Sequence, residues 1–229
     1  MSVDSLSQAV EPHSQEGLPP FEILYDRYHI PVYRYLYARL KNEHDAADLM
    51  QQVFYQVWKQ GHTYDPKRGS VATWLLNIAH HRLIDFYRLA RPSVPWESLS
   101  ERTGGDENPE VHIISEDTLI LIKKLLDSLS QPEQELLALR FAAGLSSAEI
   151  AAIVGKSEAA TKKQLTRLLQ RLREQYFRQE LETPLPDLWE PTPSAFVAVI
   201  VQLYKVSAPS SKLQVVRQNL LVQISSRLA

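Results

Sequence analysis

Apolar positions along the chain recur at helical rather than strand spacing. In one segment they fall at Ala46, Leu49, Met50, Val53 and Val57, an i, i+3, i+4, i+7, i+11 stripe. Asp45 is placed to cap that helix, and Gly61 with the turn Asp65-Pro66-Lys67-Arg68-Gly69 ends it. A further helix is predicted from about Ser70 through Trp74, Leu75, Ile78, Leu83 and Phe86. Upstream, the helical pattern begins at Phe21. Pro31 interrupts it, either starting a second helix or kinking the first. Strand-like alternation is scarce, and 7 Gly in 229 residues leave little loop-forming material.

The pattern divides the chain. Residues 1–20 are polar, end in Pro19-Pro20 and read as a flexible arm. Residues 21–91 form a first helical block. Residues 92–114 are rich in Pro, Gly, Ser and acid, the composition of a linker. Residues 115–181 form a second helical block. Residues 182–229 are a C-terminal extension, punctuated by Pro184, Pro186, Pro191 and Pro193, with apolar segments at Phe196–Val206 and Leu213–Leu228. These segments are too apolar to stay in water as free coil. The extension carries Lys205, Lys212, Arg217 and Arg227 but no carboxylate side chain after Glu190. It is expected to fold back on one of the blocks, either modulating binding there or passively completing a core. The fold class is therefore all-α: two small helical domains joined by a flexible linker, plus the extension.

The segment from Gly144 to Tyr176 carries the most information. Ser146 or Ser147 can cap a short helix with Glu149 in its first turn and Ile150, Ala151 and Val154 on its buried face. Gly155 sits where a tight turn between two helices needs positive φ. Ser157 can cap the next helix, whose Leu165, Leu168, Leu169 and Leu172 form one stripe. At about 100° per residue, Lys163, Arg167, Gln170 and Arg171 fall on the other side. This is a helix-turn-helix, a unit whose second helix enters the major groove and offers cations and amides to base edges and phosphates.

Charge and chemistry narrow the picture. A net charge of −2 and a pI near 6.4 exclude a generally basic coat for nucleic acid, so any DNA contact must come from local clusters. The absence of cysteine excludes disulfides and thiolate metal sites and fits a cytoplasmic protein. The start of the chain has no basic and apolar leader, and no apolar run reaches the roughly 18 residues of a membrane span. No phosphate loop, nucleophile elbow or zinc-spaced histidine pair is present. His80 and His81 are adjacent and diverge on a helix. No catalytic residue, metal or cofactor is expected.

In order and spacing the two blocks resemble the extracytoplasmic-function (ECF) sigma factors, promoter-specificity subunits of bacterial RNA polymerase. The first block shows Asp45-Ala46-Ala47-Asp48-Leu49-Met50-Gln51-Gln52-Val53-Phe54 followed by Trp58. It continues with Trp74-Leu75-Leu76-Asn77-Ile78-Ala79 and Arg82-Leu83-Ile84-Asp85. The second shows Leu129-Ser130-Gln131-Pro132-Glu133, Leu139-Arg140 and Gly144-Leu145-Ser146 before the helix-turn-helix. The resemblance covers about residues 21–178. It implies that Asp48, Gln51, Gln52, Phe54 and Trp58 dock on the clamp helices of the large polymerase subunit. It implies that Trp74, His81, Arg82, Arg88 and Arg91 bind and help melt the minus-ten element, although a Trp at helical spacing with Leu75 and Ile78, as Trp74 is, is more often core. It implies that Lys162, Lys163, Gln164, Arg167 and Arg171 read the minus-thirty-five element. The implied partners are core polymerase through its clamp helices and flap, promoter DNA, and an anti-sigma protein wedged between the domains.

Two positions depart from the family's pattern. His81 stands where Asn is common, which bears on preference at the minus-ten element, since imidazole charge depends on pH. Gln164 stands where Arg is common, with an extra cation at Lys163. Two other classes fit parts of the chain: a stand-alone helix-turn-helix regulator that binds DNA without polymerase, and a sigma mimic that binds only proteins. The amide-rich first block argues against the regulator, and the cationic last helix argues against the mimic.

Overall fold

A computed structural model describes residues 17–89, 116–182, 193–205 and 210–228. The regular structure among them is helical throughout: α1 Phe21–Leu40, α2 Glu43–Gln60, α3 Val71–Leu89, α4 Glu116–Asp127, α5 Gln131–Leu137, α6 Ser147–Val154, α7 Glu158–Glu182, α8 Pro193–Tyr204 and α9 Ser210–Leu228. A 3-10 turn at Gly61–Thr63 extends α2, and a π-helical turn at Ala138–Ala142 extends α5. Most of the arm and the whole of the 92–114 linker lie outside the described residues.

Local chemistry explains the boundaries. α1 runs through Pro31, so Pro31 does not start a second helix. The hydrogen bond that proline cannot donate is outweighed by the burial of Val32, Tyr33, Tyr35 and Leu36, all fully buried just beyond it. Lys41 then turns to φ 55, and Asn42 caps α2 by accepting from the backbone N–H groups of His44 and Asp45. Asp45 is therefore a first-turn residue rather than the cap. An earlier Asx side chain in extended conformation took that role. In the second block, Glu133 folds back to accept from the Ser130 N–H and hydroxyl. Ser146 and Glu149 form the reciprocal capping box of α6.

The two blocks do not stand apart. Leu24, Leu36, Met50 and Leu76 of the first belong to one continuous core with Ile122, Leu137, Leu168 and Tyr176 of the second. α1 rests on the π turn and α3 on α6. The extension also folds: α8 packs against the π turn, α4 and α7, and α9 packs against α2.

Candidate nucleic-acid and polymerase interface

The helix-turn-helix is built by α6 and α7. Ser146 caps α6, and Gly155 ends it at φ 69, ψ 35. A Cβ at Gly155 would meet nothing within 4 Å, so its conformation, not crowding, calls for glycine there. The Ser157 hydroxyl accepts from the Ala160 N–H at 3.2 Å to start α7. Leu165, Leu168 and Leu172 are buried. Lys162, Lys163 and Arg167 are exposed. Gln164 is half-buried, and its side-chain oxygen accepts from Lys156 Nζ at 2.8 Å. Arg171 is already engaged: its guanidinium donates to Glu133 Oε1 at 2.6 Å. The cations expected on α7 thus split into a free N-terminal group and a tethered Arg171. The Glu133 carboxyl is held below the usual carboxylate range by its bonds to Ser130 and Arg171.

On α3, Trp74, His81 and Arg88 follow one another at seven-residue intervals and so share a face. Trp74 is half-buried, with its ring centroid 5.6 Å from that of Tyr64. His81 is exposed. Its Nδ1–H donates to the Asn77 carbonyl at 2.7 Å, which leaves Nε2 as the outward nitrogen. Arg88 is exposed and pairs with Asp85 at 3.0 Å. Arg82 points elsewhere, donating to Gln56 of α2 at 2.9 Å. It lines a cleft of about 320 Å3 with Leu49, Gln52, Asp85, Phe86 and Leu89. Arg91 lies outside the described residues.

α2 carries the residues expected to meet polymerase, and they occupy two stripes. Asp48 and Gln52 are exposed, one turn apart. Gln51, Phe54 and Trp58 share a second stripe with Ala47. Gln51 and Trp58 are half-buried there, while Ala47 and Phe54 are buried. Phe54 has no exposed surface. It packs edge-on to Phe21 at 6.3 Å and lies 4.8 Å from the Tyr25 ring. In this conformation Phe54 supports the face and does not itself touch a partner.

A second polar cluster joins the two blocks. Glu135 of α5 is buried among residues of α1 and α3. The Tyr35 hydroxyl donates to its Oε1 at 2.6 Å, His80 Nδ1 lies 2.8 Å from the same oxygen, and Arg39 Nε lies 3.0 Å from Oε2. Arg39 also donates to Gln134 Oε1 at 2.8 Å and to Gln131 Oε1, and its carbonyl accepts from the Tyr87 hydroxyl. Burial alone would raise the Glu135 carboxyl. The bonds from His80 and Tyr35 and the charges of His80 and Arg39 outweigh it and hold the group below the carboxylate range. A second tether is exposed: the Ser70 hydroxyl donates to Glu149 Oε1 at 2.8 Å, joining the start of α3 to the capping box of α6. None of Glu135, Glu149, Gln56 or Tyr64 stood out as a site residue in the sequence. The capping pattern marked Glu149 as local, with no sign of its distant partner.

Among the described residues no group of three or more His, Asp or Glu is placed to hold a metal. No described helix is long and apolar enough to cross a membrane.

An all-helical chain with a helix-turn-helix, a second basic-aromatic helix and an amide-rich helix is organised for recognition of DNA and of a protein partner. The model for sigma-70 region 2 matches residues 24–92, and that for sigma-70 region 4 matches residues 119–172. The ECF RNA polymerase sigma factor SigX of Bacillus subtilis is 30% identical over 172 residues, 70% of this chain and 87% of that protein. The ECF sigma factor SigD of Mycobacterium tuberculosis is 32% identical over 150 residues, 63% of this chain and 71% of that one. A chain of the solved structure of CnrH in complex with the cytosolic domain of CnrY is 22% identical, with a TM-score of 0.49, covering 69% of this chain and 88% of that one. The chain belongs to the ECF sigma factors, whose members bind RNA polymerase and direct promoter-specific transcription. The stand-alone regulator is not favoured.

Proposed function

We propose that this sigma factor uses three separate helical faces for its three contacts. The α2 face, with Asp48 and Gln52 outermost and Gln51 and Trp58 beside them, docks on the clamp helices of the large polymerase subunit. The α3 face of Trp74, His81 and Arg88 takes the minus-ten element, where a half-exposed aromatic can stack on an unpaired base and a guanidinium can hold phosphate. The N-terminal half of α7, with Lys162, Lys163 and Arg167, enters the major groove of the minus-thirty-five element. Arg82 acts one step back, fixing α3 to α2 through Gln56, and Gln164 is positioned by Lys156. Arg171 joins the DNA face only if Glu133 releases it. The work is non-enzymatic recognition in the cytoplasm.

The observation that carries this reading is the capped α6–Gly155–α7 turn, which leaves Lys162, Lys163 and Arg167 free on the first turns of the second helix. The test is run-off transcription with purified core polymerase. The chain should support promoter-dependent initiation. Asp48→Ala with Gln52→Ala should weaken core binding by about fivefold or more, the loss of one substantial interface contact of about 1 kcal/mol. Binding to duplex DNA without initiation would rule out the assignment of α2.

A further inference from the structure

The C-terminal extension sits on both halves of the molecule at once. α8 buries Phe196, Val199, Ile200 and Tyr204, one stripe at i, i+3, i+4 and i+8. Phe196 lies against Tyr176 of α7 at 5.7 Å, and Tyr204 against Phe141 of the π turn at 6.2 Å. The partner of α8 is therefore the second block. α9 buries Leu213, Val216, Leu220 and Ile224, and its partner is the first block. The Tyr25 hydroxyl donates to the Leu213 carbonyl at 3.0 Å, and Arg217 lies 3.5 Å from Asp26. Tyr25 is also the residue whose ring lies on Phe54. α9 thus packs on α2, and it is bonded to Tyr25, the residue whose ring covers Phe54 of the Ala47, Gln51, Phe54, Trp58 stripe.

We propose that α8 and α9 are a strap in cis that covers the polymerase-facing stripe of α2 and holds the two sigma units closed, so that polymerase must displace α9 to bind. The proposal rests on the assignment of α2 as the docking helix. Size supports it independently. Elements named minus-ten and minus-thirty-five lie about 25 base pairs apart, roughly 85 Å of duplex at about 3.4 Å per base pair. A compact chain of this length has a radius of gyration of about 17 Å and a diameter of about 45 Å. The closed chain cannot place α3 and α7 on both elements, and a strap anchored to both units keeps it closed. The seam where an anti-sigma protein would wedge is filled in this state by Glu135 with its partners Tyr35, His80 and Arg39.

The absence of cysteine makes the test clean. Asp26→Cys with Arg217→Cys places two thiols across the α1–α9 contact, outside every face assigned to DNA or polymerase. A cleavable bismaleimide then locks α9 in place, and reductant releases it. The locked chain should bind core polymerase at least about tenfold more weakly than the same chain after cleavage, with run-off transcription falling in parallel and helicity by circular dichroism unchanged. A full chain shortened by residues 206–229 should bind at least as tightly as the intact one. Equal binding by locked and cleaved chains overturns the strap while leaving the docking helix standing. Absence of core binding by every form, shortened chain included, overturns the docking assignment and the strap with it.

Discussion

Replacing Arg39 with methionine should open the seam between the two units. The Arg39 side chain is 4% exposed and that of Glu135 10%, so the pair sits where water cannot substitute for either partner. Methionine keeps an unbranched stem of similar reach and removes the charge. Glu135 is then left buried with only the Tyr35 and His80 bonds. Breaking a buried pair from one side costs about 3–5 kcal/mol. With two donors still on the carboxylate, the lower end applies, about 3 kcal/mol, or roughly a 150-fold shift toward the open state. The assay is energy transfer between dyes on cysteines placed at the exposed positions Lys59 and Ala152, with the radius of gyration from X-ray scattering alongside. Transfer should fall and the radius should rise above about 17 Å while helicity is kept. The double variant Arg39→Met, Glu135→Met removes the orphaned charge and should close again in part. It stays short of full closure by about 1 kcal/mol for each donor, Tyr35 and His80, left without its acceptor. Unchanged transfer in the single variant, or a double variant more open than the single, would refute the idea that this pair holds the seam.

Three further outcomes follow from the same geometry. The Glu135 carboxyl is depressed in the folded state, so its contribution to closure is present above the ordinary carboxylate range and is lost as pH falls through its folded value. The dye pair should report opening only below about pH 4.5, since an unperturbed Glu titrates near 4.3, and opening that sets in above pH 6 would point to another group. Single alanine substitutions at Lys162, Lys163 and Arg167 should each reduce the salt-dependence slope of minus-thirty-five binding by about 0.9 where the side chain meets a phosphate. A slope unmoved by all three would remove α7 from the DNA. Gly155→Ala meets no steric obstacle but must adopt φ 69, so calorimetry should show a loss of about 1–2 kcal/mol, and a neutral effect would mean that the turn relaxes.

How much of this was readable along the chain depends on the range of the interaction. The α6–α7 unit was legible because its signals are local: Ser146 with Glu149, Gly155, and Ser157 each act within three or four positions, although the buried face of α6 takes Ile153 where Val154 was expected. The cap of α2 was misplaced by the same local reading, since Asn42, Asp45 and Asp48 all sit near the helix start and only backbone conformation distinguishes them. Pro31 suggested a break because propensity is local, and the tertiary burial of Val32 and Tyr35 overrode it. The seam was not legible. Glu135 meets His80 and Tyr35 from 55 and 100 residues away, and nothing near position 135 announces that. Phe54 was read from the motif as a partner contact, but its neighbours Phe21 and Tyr25 come from α1, and Tyr25 is bonded in turn to the extension.

The chemistry of the seam bears on how the protein can be both closed and active. A chain whose competent state is populated at fraction f binds its partner with an apparent affinity reduced by that fraction. Closure by about 3 kcal/mol would weaken polymerase binding roughly 150-fold, within reach of a large interface, whereas closure by an extended apolar seam of several buried leucines would exceed it, at about 1.5–3 kcal/mol per side chain. The seam carries both kinds of contact, since Leu36 and Met50 share one core with Leu137 and Leu168, and the buried ionic pair is the part that adds selectivity. Intact, it contributes little net free energy, because desolvation offsets most of the attraction. Broken from one side, it is strongly unfavourable, so it selects one closed register over near alternatives. Opening the whole seam returns both partners to water together, which avoids the orphaned charge. Arg39 and Glu135 therefore specify the closed arrangement, while the apolar grip comes from the core that the two blocks share and from α8 and α9.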